Sequence, residues 1–143
     1  MIVLDTNVIS EPLKPVADSA VIRWLDAQDP EALYLTATVL SEILMGIALL
    51  PAGKRKRGME LAMQSLQAKL FAGRFLSFDR EAAIAFALLG SRAAAKGYSI
   101  SVADCQIASI AAVHGFSVAT RDIAPFQAAG VPVINPWENR ASC

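Results

Sequence analysis

Four carboxylates stand out in this sequence for where they fall: Asp5, Glu42, Asp104 and Asp122. Asp5 follows the apolar run Ile2-Val3-Leu4 and precedes Thr6 and Asn7, so it stands where a buried strand would end. A carboxylate there loses hydration unless something pairs with it. Glu42 and Asp104 each fall in the first turns of a helical pattern, and Asp122 lies just beyond the β-prone run Phe116-Ser117-Val118-Ala119-Thr120. Acids gathered at partly buried positions repel one another, so without a cation their pKa values rise. A divalent metal removes that conflict. Oxygen-only donors suit hard ions such as Mg²⁺ or Mn²⁺, and no Cys or His accompanies the acids to suggest zinc. A metal held by carboxylates with open positions activates a water and neutralises phosphodiester charge, which points to phosphodiester hydrolysis. His114 is the sole histidine, which argues against cleavage by an imidazole acid and base.

Each acid also has a plainer reading. Asp104, three residues after Ser101, would complete a capping box. Glu42 could face solvent on an amphipathic helix, although Val39, Leu40, Ile43 and Leu44 leave little polar face around it. Asp122 fits a turn or a helix cap. Asp79 is sufficiently explained as a cap and stays outside the site.

The elements that must position these acids follow from periodicity. Strands are expected at Ile2-Val3-Leu4, Leu33-Tyr34-Leu35-Thr36, Phe75-Leu76-Ser77-Phe78, around Val118 and at Val131-Pro132-Val133-Ile134. Helices are expected over residues 16–28, from a Thr38 cap through Glu42 to about 50, over 55–72, over 80–96, from Ser101 to His114, and as a short turn over 125–130. Asp5-Thr6-Asn7 reads as a polar turn. This alternation predicts an α/β fold, a mostly parallel central sheet flanked by helices on both faces, in one domain spanning residues 1–143 with about 139–143 as a loose tail. Parallel sheets place ligands at the carboxyl ends of their strands, and that rule selects Asp5 and Asp122.

Composition narrows the function classes. Hydrophobic residues make up 55% of the 143 and charged residues 18%, enough to bury a core. No apolar run reaches the roughly 18 residues of a membrane span, since even residues 39–50 are interrupted by Ser41, Glu42 and Gly46. Nor does the start resemble a secretory signal, so a cytoplasmic protein is expected. Basic and acidic residues both total 13, so no global positive field draws the chain to nucleic acid. The one basic run, Lys54-Arg55-Lys56-Arg57, fits a solvated helix face or a local phosphate contact. Cys105 and Cys143 lack the spacing of a metal or redox pair. His114 is expected at a helix C-terminus, where a cation is favourable.

Several segments in order carry a family likeness: the opening through Asp5-Thr6-Asn7-Val8-Ile9-Ser10, the Ser41-Glu42 helix start, Val102-Ala103-Asp104, and Ala119-Thr120-Arg121-Asp122. Over nearly its whole length the chain resembles PIN-domain nucleases of the VapC type, and Ile9-Ser10-Glu11-Pro12 with Asn135-Pro136-Trp137 look closest to the FitB-like branch. The resemblance implies the toxin of a type II toxin–antitoxin pair, a Mg²⁺- or Mn²⁺-dependent endoribonuclease held inactive by a small VapB/FitA-like antitoxin. It maps the catalytic and metal-binding acids onto Asp5, Glu42, Asp104 and Asp122, with Thr6, Asn7 and Thr120 orienting carboxylates or water. Many relatives have Asn at the position of Asp122, which makes its direct ligation of metal the open point. The same resemblance implies a homodimer, and DNA contact only through the antitoxin. Two other readings compete with it. A phosphatase using Asp5 as nucleophile would need an acid two residues on, where Asn7 stands. A noncatalytic PIN module acting with an antitoxin in transcriptional regulation would keep the fold without the chemistry.

Overall fold

The computed structural model describes residues 1–138, so the expected tail at 139–143 lies outside the described residues. Five short strands, β1 (Ile2–Leu4), β2 (Leu33–Thr36), β3 (Phe75–Leu76), β4 (Ser117–Ala119) and β5 (Val133–Ile134), form one sheet in the order β3-β2-β1-β4-β5. Every pairing is parallel, with Ile2 opposite Leu33, Thr36 opposite Leu76, Val3 opposite Val118 and Ala119 opposite Ile134. Parallel neighbours need long crossovers, and helices supply them: α1 (Thr6–Ser10), α2 (Ser19–Asp26), α3 (Ala37–Ala48), α4 (Lys54–Ser65), α5 (Arg80–Ala95), α6 (Val102–His114) and α7 (Ile123–Ala129). The chain builds outward from β1 through β2 to β3, then returns to the other side of β1 for β4 and β5. Strand order therefore reverses between β1 and β4, and a crevice opens at the carboxyl ends of those two strands.

The central strands are mostly apolar, as suits a sheet flanked by helices. Val3, Leu4, Leu35, Val118 and Ala119 are fully buried, and Val8, Val39, Ile107 and Phe126 of the helices pack into the same core.

Several boundaries differ from the sequence expectation, each for a local hydrogen-bonding reason. The Asp-Thr-Asn segment is the start of α1 rather than a turn, because Asp5 caps it. α2 begins at Ser19, not at 16, since Asp18 is extended and its Oδ1 accepts the Ala20 N–H at 2.8 Å. α3 is capped by Thr36, whose Oγ1 accepts the Val39 N–H at 3.1 Å, so strand passes directly into helix. Thr38, the expected cap, instead donates its hydroxyl to Gln106 Oε1 at 3.0 Å and ties α3 to α6. The helix expected over 55–72 is α4 followed by a π-helical turn, Leu66–Leu70. α5 and α6 match their expected caps, Asp79 and Ser101, and Gly115 closes α6 with φ 71°. His114 does sit in the last turn of α6, where its ring lies against Phe116 with centroids 5.4 Å apart.

Candidate active site

Asp5 stands at the reversal point. Its backbone N–H extends the β1–β4 ladder by donating to Ala119 O at 2.9 Å, which fixes the residue at the head of the crevice. Its Oδ1 accepts the Thr6 N–H at 2.7 Å and its Oδ2 accepts the Thr120 hydroxyl at 2.7 Å. Only 4% of Asp5 is exposed. Burial raises its pKa from 3.8 to about 6; the bonds from Thr120 and Thr6 pull it down, while the charges of Asp104 and Glu42 push it up again.

Two threonines and an asparagine organise the acids. Thr6 uses its N–H on Asp5 and its hydroxyl on Glu42, donating to Oε1 at 2.8 Å. Thr120 is fully buried; it donates to Asp5 and accepts the Asp122 N–H at 3.0 Å and the Asn7 Nδ2–H at 3.4 Å. Asn7 also accepts the Arg121 N–H at 3.4 Å, so α1 and the loop after β4 are clamped together. Thr6, Asn7 and Thr120 thus stand in contact with the cluster.

Asp104 is the third residue of α6, and its N–H donates to the Ser101 cap at 3.1 Å. Partial burial raises its pKa, the Ser101 hydroxyl offsets part of the rise, and Asp122 and Glu42 add to it. Glu42 is exposed on α3; of its apolar neighbours Val39, Ile43 and Ile47 are buried, while Leu44 and Met45 share its exposed face. Asp122 heads α7 but makes no side-chain cap bond, so capping does not explain its carboxylate. The structure therefore brings all four acids to one edge, with Glu42 and Asp104 coupled to the others by charge.

Glu11 sharpens what is unusual about Asp5. It too is 4% exposed, yet its pKa is lowered, because Lys14 Nζ lies 2.8 Å from Oε2 and Oε1 accepts the Asp18 N–H at 2.9 Å. A buried acid with a cation is settled. Asp5 has hydrogen bonds and like charges instead, and among the described residues none of the four acids forms an ion pair. Nor do any three His, Cys, Asp or Glu side chains among the described residues stand close enough together to hold a metal ion between them. A hard, strongly hydrated cation needs only one or two direct carboxylate ligands, with waters completing its shell. The acidic donor set, short of positive charge, fits such an ion.

Two further features bear on placement. A cavity of about 310 Å³, lined by Leu4, Ile9, Leu25, Leu33 and Phe71 among others, is mostly apolar and touches none of the four acids. A groove of about 260 Å³ runs beside Glu42, lined by Thr6, Ile43, Gly46, Ile47 and Met59.

The pattern of the PIN domain matches residues 2–131, nine-tenths of the chain and every acid in the cluster. The chain belongs to the PIN domain family. It is 49% identical over 138 residues to a VapC ribonuclease of Sinorhizobium fredii, covering 96% of this chain and 99% of that one. It is 45% identical over 139 residues to toxin FitB of Neisseria gonorrhoeae, covering 97% and 100%. Among solved structures, a chain of FitAB bound to a DNA fragment superposes with a TM-score of 0.93 at 45% identity, covering 98% of each chain. These PIN relatives share the five-stranded parallel sheet flanked by helices. Among the described residues no helix is long and apolar enough to cross a membrane.

Proposed function

We propose that this PIN domain is the toxin of a toxin–antitoxin pair and acts as an endoribonuclease dependent on Mg²⁺ or Mn²⁺, with Asp5, Glu42, Asp104 and Asp122 as its catalytic and metal-binding acids. The observation that carries the reading is Asp5: a buried carboxylate at the strand-order reversal, with a pKa of about 6 and two acidic neighbours in place of a cation. The relatives named VapC ribonuclease and toxin FitB support the substrate and the biological role.

When bound, a divalent cation supplies charge neutralisation on the phosphodiester and a more acidic attacking water. The chain's own residues do the rest. Thr6 and Thr120 hold the Asp5 carboxylate by both oxygens, so it cannot swing to a different face. Thr6 holds Glu42 toward the same point across α1 and α3. Asp104 and Asp122 border the opening, where Asp122, exposed and free of cap bonds, would help to hold the cation.

Inhibition by an antitoxin, with DNA reached through that partner, is supported by the neighbouring FitAB complex with its DNA fragment. A homodimer is part of the same reading, and light scattering on the purified chain tests it. For the activity, RNA is incubated with the protein and Mg²⁺ or Mn²⁺ beside Asp5→Asn and Asp104→Asn. Cleavage is expected from the unaltered chain alone, abolished by chelation. Equal cleavage by all three proteins would assign the signal to a contaminant and end the proposal.

A further inference from the structure

An acidic cluster repels the phosphate chain it is meant to cut, so positive charge must meet the strand close by. Lys56 of the basic run is tied down away from that cluster. α3 starts at the acid edge and runs away from it, and Lys56 Nζ donates to Ala48 O at the far end, roughly 9 Å further along the helix axis than Glu42. Arg121 is better placed. It lies between Thr120, which holds Asp5, and Asp122, and its N–H is fixed by Asn7. Its guanidinium lies over the Trp137 ring, 5.1 Å from the centroid. Trp137 follows β5 at the same carboxyl edge, with its own N–H held by Asn135 Oδ1 at 3.0 Å. Among the described residues Arg121 forms no ion pair, although Asp122 follows it in sequence.

Indole stacking holds a guanidinium in one plane while leaving its N–H fork free, and that fork matches a phosphate. We infer that Arg121, oriented by Trp137, binds a backbone phosphate of single-stranded RNA next to the scissile bond, with Trp137 as a positioning residue. The inference rests on the ribonuclease reading for its substrate. The groove beside Glu42, by contrast, is apolar and carries no cation, so it does not offer phosphate contact.

The test is binding of a short fluorescein-labelled oligouridylate to the full chain, with Ca²⁺ in place of Mg²⁺, across a salt series. Arg121→Ala should weaken binding about fivefold to tenfold and flatten the slope of log affinity against log salt by about 0.7, one phosphate contact on a single strand. Arg121→Lys should keep the slope but lose part of the affinity, since a point charge lacks the planar fork. Trp137→Ala should weaken binding about threefold with the slope unchanged, because the charge stays but its orientation is lost; Trp137→Phe should restore most of that. Thermal melts of each variant show the folded fraction.

Binding and slope unchanged in Arg121→Ala would overturn the inference. So would losses that follow the folded fraction alone, or absence of RNA binding by the unaltered chain at low salt. The outcomes separate the two proposals. Arg121-dependent binding without cleavage by the unaltered chain defeats the ribonuclease reading and leaves this site; cleavage indifferent to Arg121 does the reverse.

Discussion

Asp5 and Glu11 are equally buried but respond to pH in opposite senses, and that difference is measurable. A carboxylate whose folded pKa is raised contributes stability that is full below its unfolded value and lost as pH rises through the folded one. For Asp5 the window runs from 3.8 to about 6, and the ionised group costs the metal-free fold roughly 3 kcal/mol at neutral pH. Asp5→Asn removes that penalty, although the Thr120 hydroxyl must then turn to accept from the new amide. Chelated protein melted across this range should show the variant level with or below the unaltered chain near pH 4 and above it near pH 7. Added Mg²⁺ should close the gap by stabilising the unaltered chain alone. A gap independent of pH would mean that Asp5 is not the titrating group. Glu11 works the other way: its contribution is present above its unfolded pKa and fades as pH falls, because the Lys14 pair needs the charge.

At the scale of elements, α3 carries Glu42 and also a glycine in its interior. A Cβ at Gly46 would meet nothing within 4 Å, so packing does not require the residue. Gly46→Ala should raise stability by about 1 kcal/mol, read as a higher denaturant midpoint at unchanged m-value. A lowered midpoint would show a contact that the open surface does not reveal. Elements of this kind were largely legible from sequence. Caps spaced before long apolar periodicities, Asp79 before α5 and Ser101 before α6, placed both helices within a residue or two. Where two hydroxyls compete, spacing does not decide: Thr36 and Thr38 both suit α3, and only the packing of α3 on α6 assigns Thr38 to Gln106. Asp5 as the cap of α1 was missed because five residues show no helical period. The strand-end rule selected Asp5 and Asp122, helix starts added Glu42 and Asp104, and their role as a site stays a proposal. The Arg121–Trp137 stack joins residues on two separate strand exits, and no local pattern signals it.

At the scale of the whole molecule, equal numbers of acidic and basic residues remove long-range attraction to RNA. Raising salt from 50 to 200 mM should therefore weaken RNA binding by roughly tenfold, where a protein with many phosphate contacts loses about 10³ or more. A steeper loss, measured by titration at several salt concentrations, would reveal a basic surface that composition conceals. The strand order has a consequence of another kind. β1 lies at the centre of the sheet, and its neighbour on one side is β4, more than a hundred residues later in the chain. During synthesis the first strand must wait, half paired, until Ala119 and Thr120 have emerged to close the crevice around Asp5. A nascent or prematurely ended chain that stops before Thr120 carries Asp5 without its Thr120 bond, so the crevice closes only once the chain past that residue has left the machinery that makes it.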